Sequence, residues 1–202
     1  MQLGLAGHDI VIGSRDEVKA IETARELADT CGSEEASVRY SGAENAAAAS
    51  GCEVIFLTVP YAGMTSTLHS IGRHLRGKIC VNTIVPLEFI GGQARNIAPP
   101  TGSAAEEADR LVPEARWVAA FHTVPARGLM RPGSRLNTDS LVCSDDPEAL
   151  KTVMDLADAM QGIRGINAGL LENARYLEGA SALLININRI YGAHGSIKVM
   201  GL

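Results

Sequence analysis

Short apolar runs alternate along most of the chain with segments whose apolar residues recur at helical spacing. The run over residues 9–13 is rich in β-branched residues and predicts a buried strand. A helix is predicted over residues 16–30, with Gly32 as its C-terminal stop. The pattern then repeats, with strands predicted over residues 37–40, 53–59, 78–82 and 116–121, helices over residues 43–50, 64–75 and 103–111, and a loop rich in Gly and Pro over residues 91–102.

Strands that alternate with helices in this way are typical of right-handed βαβ crossovers on a parallel sheet. Residues 1–146 are therefore expected to form a Rossmann-type, doubly wound α/β domain. The pattern changes from residue 147, with a helix predicted over residues 147–160, a short strand over 164–167 and a long apolar helix over 171–191. Residues 147–202 are expected to form a small, mostly helical C-terminal domain.

The last helix is apolar over more than one stripe, which is typical of a helix covered on several sides. We expect it to pack either within the chain or against a second subunit, in a homodimer or a higher homo-oligomer. The whole chain has 202 residues, of which 46% are hydrophobic, and a net charge of −5. The acidic excess argues against nucleic acid as a partner, and no apolar run is long enough to cross a membrane.

The four cysteines are widely spaced, which predicts free buried thiols rather than a metal or redox motif. Free thiols, together with a first segment that lacks the pattern of a secretory leader, favour a cytoplasmic protein.

In an open parallel sheet, ligands bind outside the carboxyl ends of the strands. Ser14, Arg15 and Lys19 follow the first predicted strand, where an Asp or Glu would select NAD. A hydroxyl, a guanidinium and an ammonium suit the 2′-phosphate of NADP instead. The alternative, solvated charges at a helix start, is weakened because cations there oppose the helix dipole.

Three further strand exits each contain an apolar residue followed by proline. These candidate cofactor-binding segments are Thr58, Val59, Pro60 and Tyr61; Val85, Pro86 and Leu87; and His122, Thr123, Val124, Pro125 and Ala126. Stiff, neutral, apolar loops suit a flat ring. No serine-hydrolase elbow, histidine pair at metal-ligand spacing or acid–base pair stands at these exits, so we assign neither a catalytic side chain nor a metal. His122 is either a structural histidine or a general acid.

These segments, with Gly7 to Arg15, Ile166 to Gly169 and the tail from Asn186 to Leu202, resemble the NADPH-dependent F420 reductase family, also called F420H2:NADP oxidoreductase. The resemblance implies hydride transfer between NADP and coenzyme F420, an 8-hydroxy-5-deazaflavin, in a cleft between the two domains of a homo-oligomer. It places Ser14, Arg15 and Lys19 at the 2′-phosphate, and Tyr61, Leu87 and Ala126 in the region that binds NADP and its nicotinamide. Val85, Pro86 and residues 122–125 would lie near the deazaflavin.

Members of this family open with a strand, a Gly-rich phosphate loop and most of a helix before the segment that matches Gly7 to Arg15. Met1 to Gly7 match only the end of that helix. We therefore expect the first strand to be missing from the sheet, through either a mis-assigned start or a true short form. Two other functions stay open: an NADPH-dependent reductase of ferric iron, flavin or imine, and a truncated, non-catalytic Rossmann protein.

Overall fold

A computed structural model describes residues 1–31 and 39–202 of the chain. The first half contains α1 (Gln2–Leu5), β1 (Ile10–Ser14), α2 (Glu17–Cys31), β2 (Tyr40–Glu44), α3 (Asn45–Gly51), β3 (Val54–Leu57), α4 (Tyr61–Ile71) and β4 (Ile79–Asn82). The second half contains β5 (Leu87–Ile90), β6 (Gln93–Asn96), α5 (Ala104–Leu111), β7 (Arg116–Ala119), α6 (Ala126–Leu129), β8 (Thr138–Val142), α7 (Pro147–Asp158), β9 (Ile163–Asn167) and α8 (Ala174–Tyr191).

Parallel strands with helices on both faces form the centre of the fold. β3, β4 and β7 pair in that order, and Leu57, Asn82 and Ala119 lie side by side at their ends. On one face, α4 and α5 pack their buried residues, Met64 and Ala108 among them, against the sheet. On the other face, α7 contributes buried alanine and valine side chains to a second core cluster. The predicted doubly wound α/β fold is confirmed.

The parallel sheet is divided between β1 and β3. β1 pairs only with β2, in register from Ile10 opposite Tyr40 to Ser14 opposite Glu44, and β3 pairs only with β4 among the strands of residues 1–31 and 39–202. The described parallel strands on either side of this point therefore belong to two separate sheets. The first residues form the short helix α1.

β8 is a strand that the hydrophobic pattern does not predict. Its first three residues are polar, yet Thr138, Asp139 and Ser140 are fully buried. Each is satisfied by a hydrogen bond, such as the one that Arg164 Nη2 donates to Asp139 Oδ2 over 2.8 Å. β8 pairs parallel to β9 and meets the end of β7 through one antiparallel bridge between Ala119 and Cys143. The carboxyl ends of β8 and β9 therefore point to the opposite edge from that of β7.

Several predicted boundaries are wrong, and the reasons are local. The predicted loop over residues 91–102 begins inside a hairpin of β5 and β6, because Gly91 and Gly92 adopt φ values of 58° and 78° and form its two-residue turn. β3 ends at Leu57 and α4 begins at Tyr61, because Pro60 cannot donate to the ladder and its carbonyl accepts from Gly63 N. The second described strand spans Tyr40–Glu44. The predicted helix stop at Gly32 and the first two residues of the strand predicted over residues 37–40 lie outside the described residues.

α8 is buried along its first half and open along its second. Leu177, Glu178 and Ser181 are buried, whereas Ile190 and Tyr191 are about three-quarters exposed (74% and 77%). The tail that follows returns to β8, where Asp139 N donates to Ile197 O over 2.9 Å. No helix of the described residues is long and apolar enough to span a membrane. The division into domains at residue 146 stays a prediction.

The cysteines are free, as predicted, but they differ in burial. Cys80 and Cys143 are buried, and burial raises the pKa of each thiol to about 12. Cys31 and Cys52 are only half-buried, so the expectation of buried thiols holds for two of the four.

Candidate functional site

Three of the four predicted binding segments meet at one edge of the sheet. β3, β4 and β7 are parallel and adjacent, so the segments that follow Leu57, Asn82 and Ala119 leave the sheet on the same side. These are the segments with Pro60, Pro86 and Pro125. The fourth segment follows β1, in the separate two-stranded sheet.

Ser14, Arg15 and Lys19 stand at the start of α2, with both cations exposed. Ser14 Oγ accepts from Asp16 N over 3.1 Å, and Asp16 Oδ1 accepts from Val18 N over 3.1 Å. Asp16 and Glu17 place negative charge at the start of α2, so the two cations there are less unfavourable than the helix dipole alone predicts. Lys19 Nζ lies 3.9 Å from Asp16 Oδ2, a long exposed pair that leaves the ammonium available to an anion.

The segment after β3 is open at its centre and anchored at its end. Thr58 and Pro60 are exposed, whereas the Tyr61 ring packs against the core and its hydroxyl donates to Glu107 Oε2 over 2.7 Å. Burial and this hydrogen bond raise the pKa of Tyr61 to about 12. Tyr61 is therefore a neutral, fixed residue that ties α4 to α5.

The segment after β4 is held by the side chain of Asn82, which is fully buried. Asn82 Oδ1 accepts from Ile84 N over 2.8 Å, and Asn82 Nδ2 donates to Ala104 O over 3.3 Å. Pro86 is buried, and Val85 and Leu87 are half-buried. Leu87 is also the first residue of β5, so the predicted binding loop runs directly into the hairpin.

Glu178 is a buried carboxyl group that sequence reasoning missed. Its Oε1 accepts from Ala104 N over 2.9 Å, and its Oε2 has no hydrogen-bond partner among the described residues. Burial raises the pKa of Glu178 to about 8, so the group is mostly protonated at neutral pH. Since Ala104 also accepts from Asn82, Glu178 connects α8 to the loop after β4.

The segment after β7 begins with a strained residue. Phe121 has a φ of 66°, a left-handed conformation that is rare and costly for a bulky side chain. Its ring packs against Phe56 at 5.7 Å, and its amide donates to Ser140 Oγ over 3.2 Å. These contacts hold a sharp turn that directs the chain from β7 into residues 122–125.

His122 is buried, and neither ring nitrogen has a hydrogen-bond partner within residues 1–31 and 39–202. Its backbone is anchored because the carbonyl accepts from Ser181 Oγ over 2.8 Å, and the backbone of Ile84 lies near the ring. Burial lowers the pKa of His122 to about 4, so the imidazole is neutral near pH 7. A buried neutral imidazole without partners has one donor and one acceptor to offer a ligand.

A cavity of ≈ 240 Å³ lies beside His122. Its walls are residues 122–127, then Ser181, Leu184, Ile185 and Asn188 of α8, and His194 and Gly195 of the tail. The tail is fixed to α8 because Asn188 Oδ1 accepts from Gly195 N over 2.5 Å. The structure thus gathers the five predicted residues 122–126 around one cavity, and the other predicted residues do not line it.

Sequence reasoning missed Ser181, Asn188 and His194 in this cavity. Ser181 and Asn188 lie seven residues apart, on the same face of α8 as Leu184 and Ile185, and that spacing was the available signal. His194 carries none, because only folding brings the tail back to the sheet.

A larger cavity of ≈ 340 Å³ lies at the opposite edge of the sheet, beside the residues that follow β8 and β9. Four carboxylates line it, from Glu106, Asp109, Asp145 and Glu172, with Arg110 and two leucines. Burial and the nearby Asp145 raise the pKa of Asp109. Such a wall repels anionic ligands, so its greater volume does not make it the cofactor site.

Comparison with known proteins identifies relatives over nearly the whole chain. A family model described as NADP oxidoreductase, coenzyme F420-dependent, matches residues 1–86. The F420-dependent NADP reductase of Methanothermobacter marburgensis is 38% identical over 192 residues, which cover 93% of this chain and 85% of that protein. The metalloreductase STEAP3 of Rattus norvegicus is 31% identical over 180 residues, which cover 89% of this chain but 33% of that protein.

A solved structure supports the fold. The crystal structure of a proposed F420-dependent NADP reductase from Arthrobacter sp. FB24 matches with a TM-score of 0.74 and 23% identity, over 94% of this chain and 98% of that one.

Proposed function

Because the chain belongs to the family of F420-dependent NADP oxidoreductases, we propose that it transfers a hydride between NADP(H) and coenzyme F420. The reaction takes place at the edge of the sheet where β3, β4 and β7 end. The observation that carries this assignment is the cavity beside His122. It combines apolar walls with a buried imidazole whose two nitrogens have no hydrogen-bond partner in the described part of the chain.

The residues of this cavity suit a flat heteroaromatic ring. Val124, Leu184 and Ile185 provide apolar contact, while His122 and Asn188 provide hydrogen-bonding groups at the periphery. When bound, the nicotinamide and the deazaflavin supply the two carbons between which the hydride moves. The protein holds the rings together and excludes water, and a proton relay is not required.

We place NADP along the neighbouring segments. Arg15 and Lys19 would hold the 2′-phosphate with Ser14, and residues 58–61 would contact the dinucleotide. Leu87 would border the nicotinamide, and Val85 and Pro86 would lie near the deazaflavin. Asn82 keeps this last loop rigid, which supports a role in fixing the distance between the two rings.

The open half of α8 supports a homodimer or a higher homo-oligomer. Leu183, Ile190 and Tyr191 expose 60–77% of their surface on this half. Large apolar residues grouped in this way mark interaction surfaces. Free thiols suit a reducing cytoplasm, and the partners we propose besides a second copy are the two small-molecule cofactors.

The assay is the loss of the absorption band that gives F420 its name when the protein is mixed with F420 and NADPH. It is run on the chain of 202 residues. We expect NADPH-dependent bleaching of F420. Reduction of ferric iron, flavin or imine without any reduction of F420 would contradict the proposal.

A second candidate, reduction of a metal ion by NADPH, is favoured by the similarity to the metalloreductase STEAP3. The chain spans only a third of that protein, whereas it spans most of the F420-dependent relatives. Ferric iron is therefore included as an acceptor in the same assay, where we expect much slower turnover than with F420.

A further inference from the structure

A basic surface adjoins the cavity beside His122. Residues 122–137 contain three arginines, Arg127, Arg131 and Arg135, and no Asp or Glu, in a chain whose net charge is −5. All three arginines are exposed. Among the described residues, none of their guanidinium groups lies within ion-pair distance of a carboxylate. We call Arg127, Arg131 and Arg135 the arginine rim.

Arg127 lines the cavity, and successive turns lead the chain from it to Arg131 and Arg135. Gly128 N donates to Pro125 O over 2.9 Å, Arg131 N to Gly128 O over 3.3 Å and Ser134 N to Arg131 O over 3.2 Å. The chain then returns, and Leu136 packs over Gly128. The segment from Pro125 to Leu136 is therefore a compact loop, and its first residues line the cavity.

Two more basic groups lie near the arginine rim. Arg127 lines the cavity, and its Nη1 is 3.5 Å from Nε2 of His194 on the tail. Lys198 contacts the side chain of Asn137, at the end of the basic segment. Of the described residues, no carboxylate lines this cavity, whereas four line the cavity at the opposite edge of the sheet. An anion that approaches the sheet is therefore attracted to the rim beside His122.

We propose that the arginine rim binds the anionic tail of the deazaflavin cofactor. F420 carries a phosphodiester and glutamyl carboxylates at the end of its ribityl chain, and planar guanidinium groups suit both kinds of anion. The inference rests on the proposed function, since it takes the ring to occupy the cavity. The rim would then add affinity for F420 through charge, while the cavity determines the position of the ring.

The test compares F420 with the deazaflavin that has the ribityl chain but no tail. The double variant Arg131→Glu/Arg135→Glu leaves Arg127, a cavity residue, unchanged. We expect its KM for F420 to rise about ten-fold, as replacement of two exposed cations by carboxylates implies, and its KM for the tail-less deazaflavin to stay within about two-fold. The matched control is Arg73→Glu/Arg76→Glu, which reverses two exposed arginines before β4, at the other edge.

Added salt provides a second measurement that needs no variant. In the wild-type protein, the KM for F420 should rise with ionic strength while the KM for the tail-less deazaflavin stays nearly constant. In the double variant, an equal rise in KM for both deazaflavins, or no rise in KM for either, would overturn the assignment of the arginine rim. If the double variant fails to fold, the same two KM values are measured in Arg131→Gln/Arg135→Gln, and the salt series on the wild-type protein provides the second test. Failure of the proposed function is recognised separately, because the wild-type protein would then reduce neither deazaflavin.

Discussion

The two edges of the central sheet carry cavities of opposite character. The cavity beside His122, at the ends of β3, β4 and β7, has ≈ 240 Å³ and no carboxylate in its walls. The cavity at the other edge has ≈ 340 Å³ and four carboxylates. Both proposed cofactors are anions, so charge and not volume distinguishes the functional edge. The strained turn at Phe121 and the unpartnered ring of His122 stand at the same edge, which strengthens the distinction.

A large side chain placed in each cavity in turn tests which of the two cavities holds the ring. Ala126 is exposed and lines the cavity beside His122, so Ala126→Trp should occupy the space for the ring without disturbing the core. We expect kcat/KM for F420 to fall by roughly 100-fold or more, because hydride transfer depends on close apposition of the rings.

The matched variant at the other edge is Leu170→Trp. Leu170 is 56% exposed and lines the acidic cavity. Steady-state kinetics with F420 and NADPH should be unchanged in this variant. A loss of similar size in both variants would remove the distinction between the edges.

Arg15→Asp sharpens the assignment of the adenosine end of NADP. The variant replaces the guanidinium with a carboxylate, which should repel the 2′-phosphate of NADP and accept from the 2′-hydroxyl of NAD. We expect the KM for NADP to rise about ten- to hundred-fold, with little change for NAD. Equal losses for the two dinucleotides would show that Arg15 does not contact the phosphate.

The strand exits could be predicted because proline after an apolar strand is a local signal. For this reason Pro60, Pro86 and Pro125 indicate one common edge, and the three segments leave the sheet there. The cavity could not be predicted, because Asn188 and His194 reach His122 only through the return of α8 and the tail. β8 was missed because its buried residues Thr138 to Ser140 are polar and are satisfied by distant partners. The Gly91-Gly92 turn, by contrast, was a readable hairpin signal.

Glu178 connects the two edges, because it binds the first turn of α5 and α5 contributes Glu106 and Asp109 to the acidic cavity. Its ordinary pKa is 4.5, and the folded protein raises that pKa to about 8. Between these pH values the unfolded chain loses a proton that the folded chain keeps, so stability should fall as pH rises. Burial is the main cause of this rise in pKa, the Glu106 carboxylate adds to it, and the Ala104 and Ala105 amides and the Arg175 guanidinium oppose it.

Glu178→Gln should remove this pH dependence while it preserves the shape of the side chain. From pH 6 to pH 8, the free energy of unfolding should fall in both proteins. We expect the fall in the variant to be smaller than the fall in the wild type by on the order of 1–2 kcal/mol. Urea denaturation at the two pH values measures the difference. An equal change in the free energy of unfolding for both proteins would mean that Glu178 is ionised in the folded protein.

The smallest effect is expected from relief of charge repulsion in the acidic cavity. Burial and Asp145 raise the pKa of Asp109, so its ionised form is unfavourable in the folded protein. Asp109→Asn should stabilise the protein by a few tenths of a kcal/mol at pH 7, with kinetics for F420 and NADPH unchanged. A clear loss of activity would assign a functional role to the acidic cavity.

The deazaflavin ring is proposed to bind at the edge of the sheet where β3, β4 and β7 end. A crystal structure of the protein with F420 and NADP would show directly where the ring lies. We expect the ring between residues 122–126 and α8, within hydrogen-bonding distance of His122 or Asn188, with its tail toward Arg131 and Arg135. A ring located in the acidic cavity, or one that makes no contact with residues 122–126, would contradict the account.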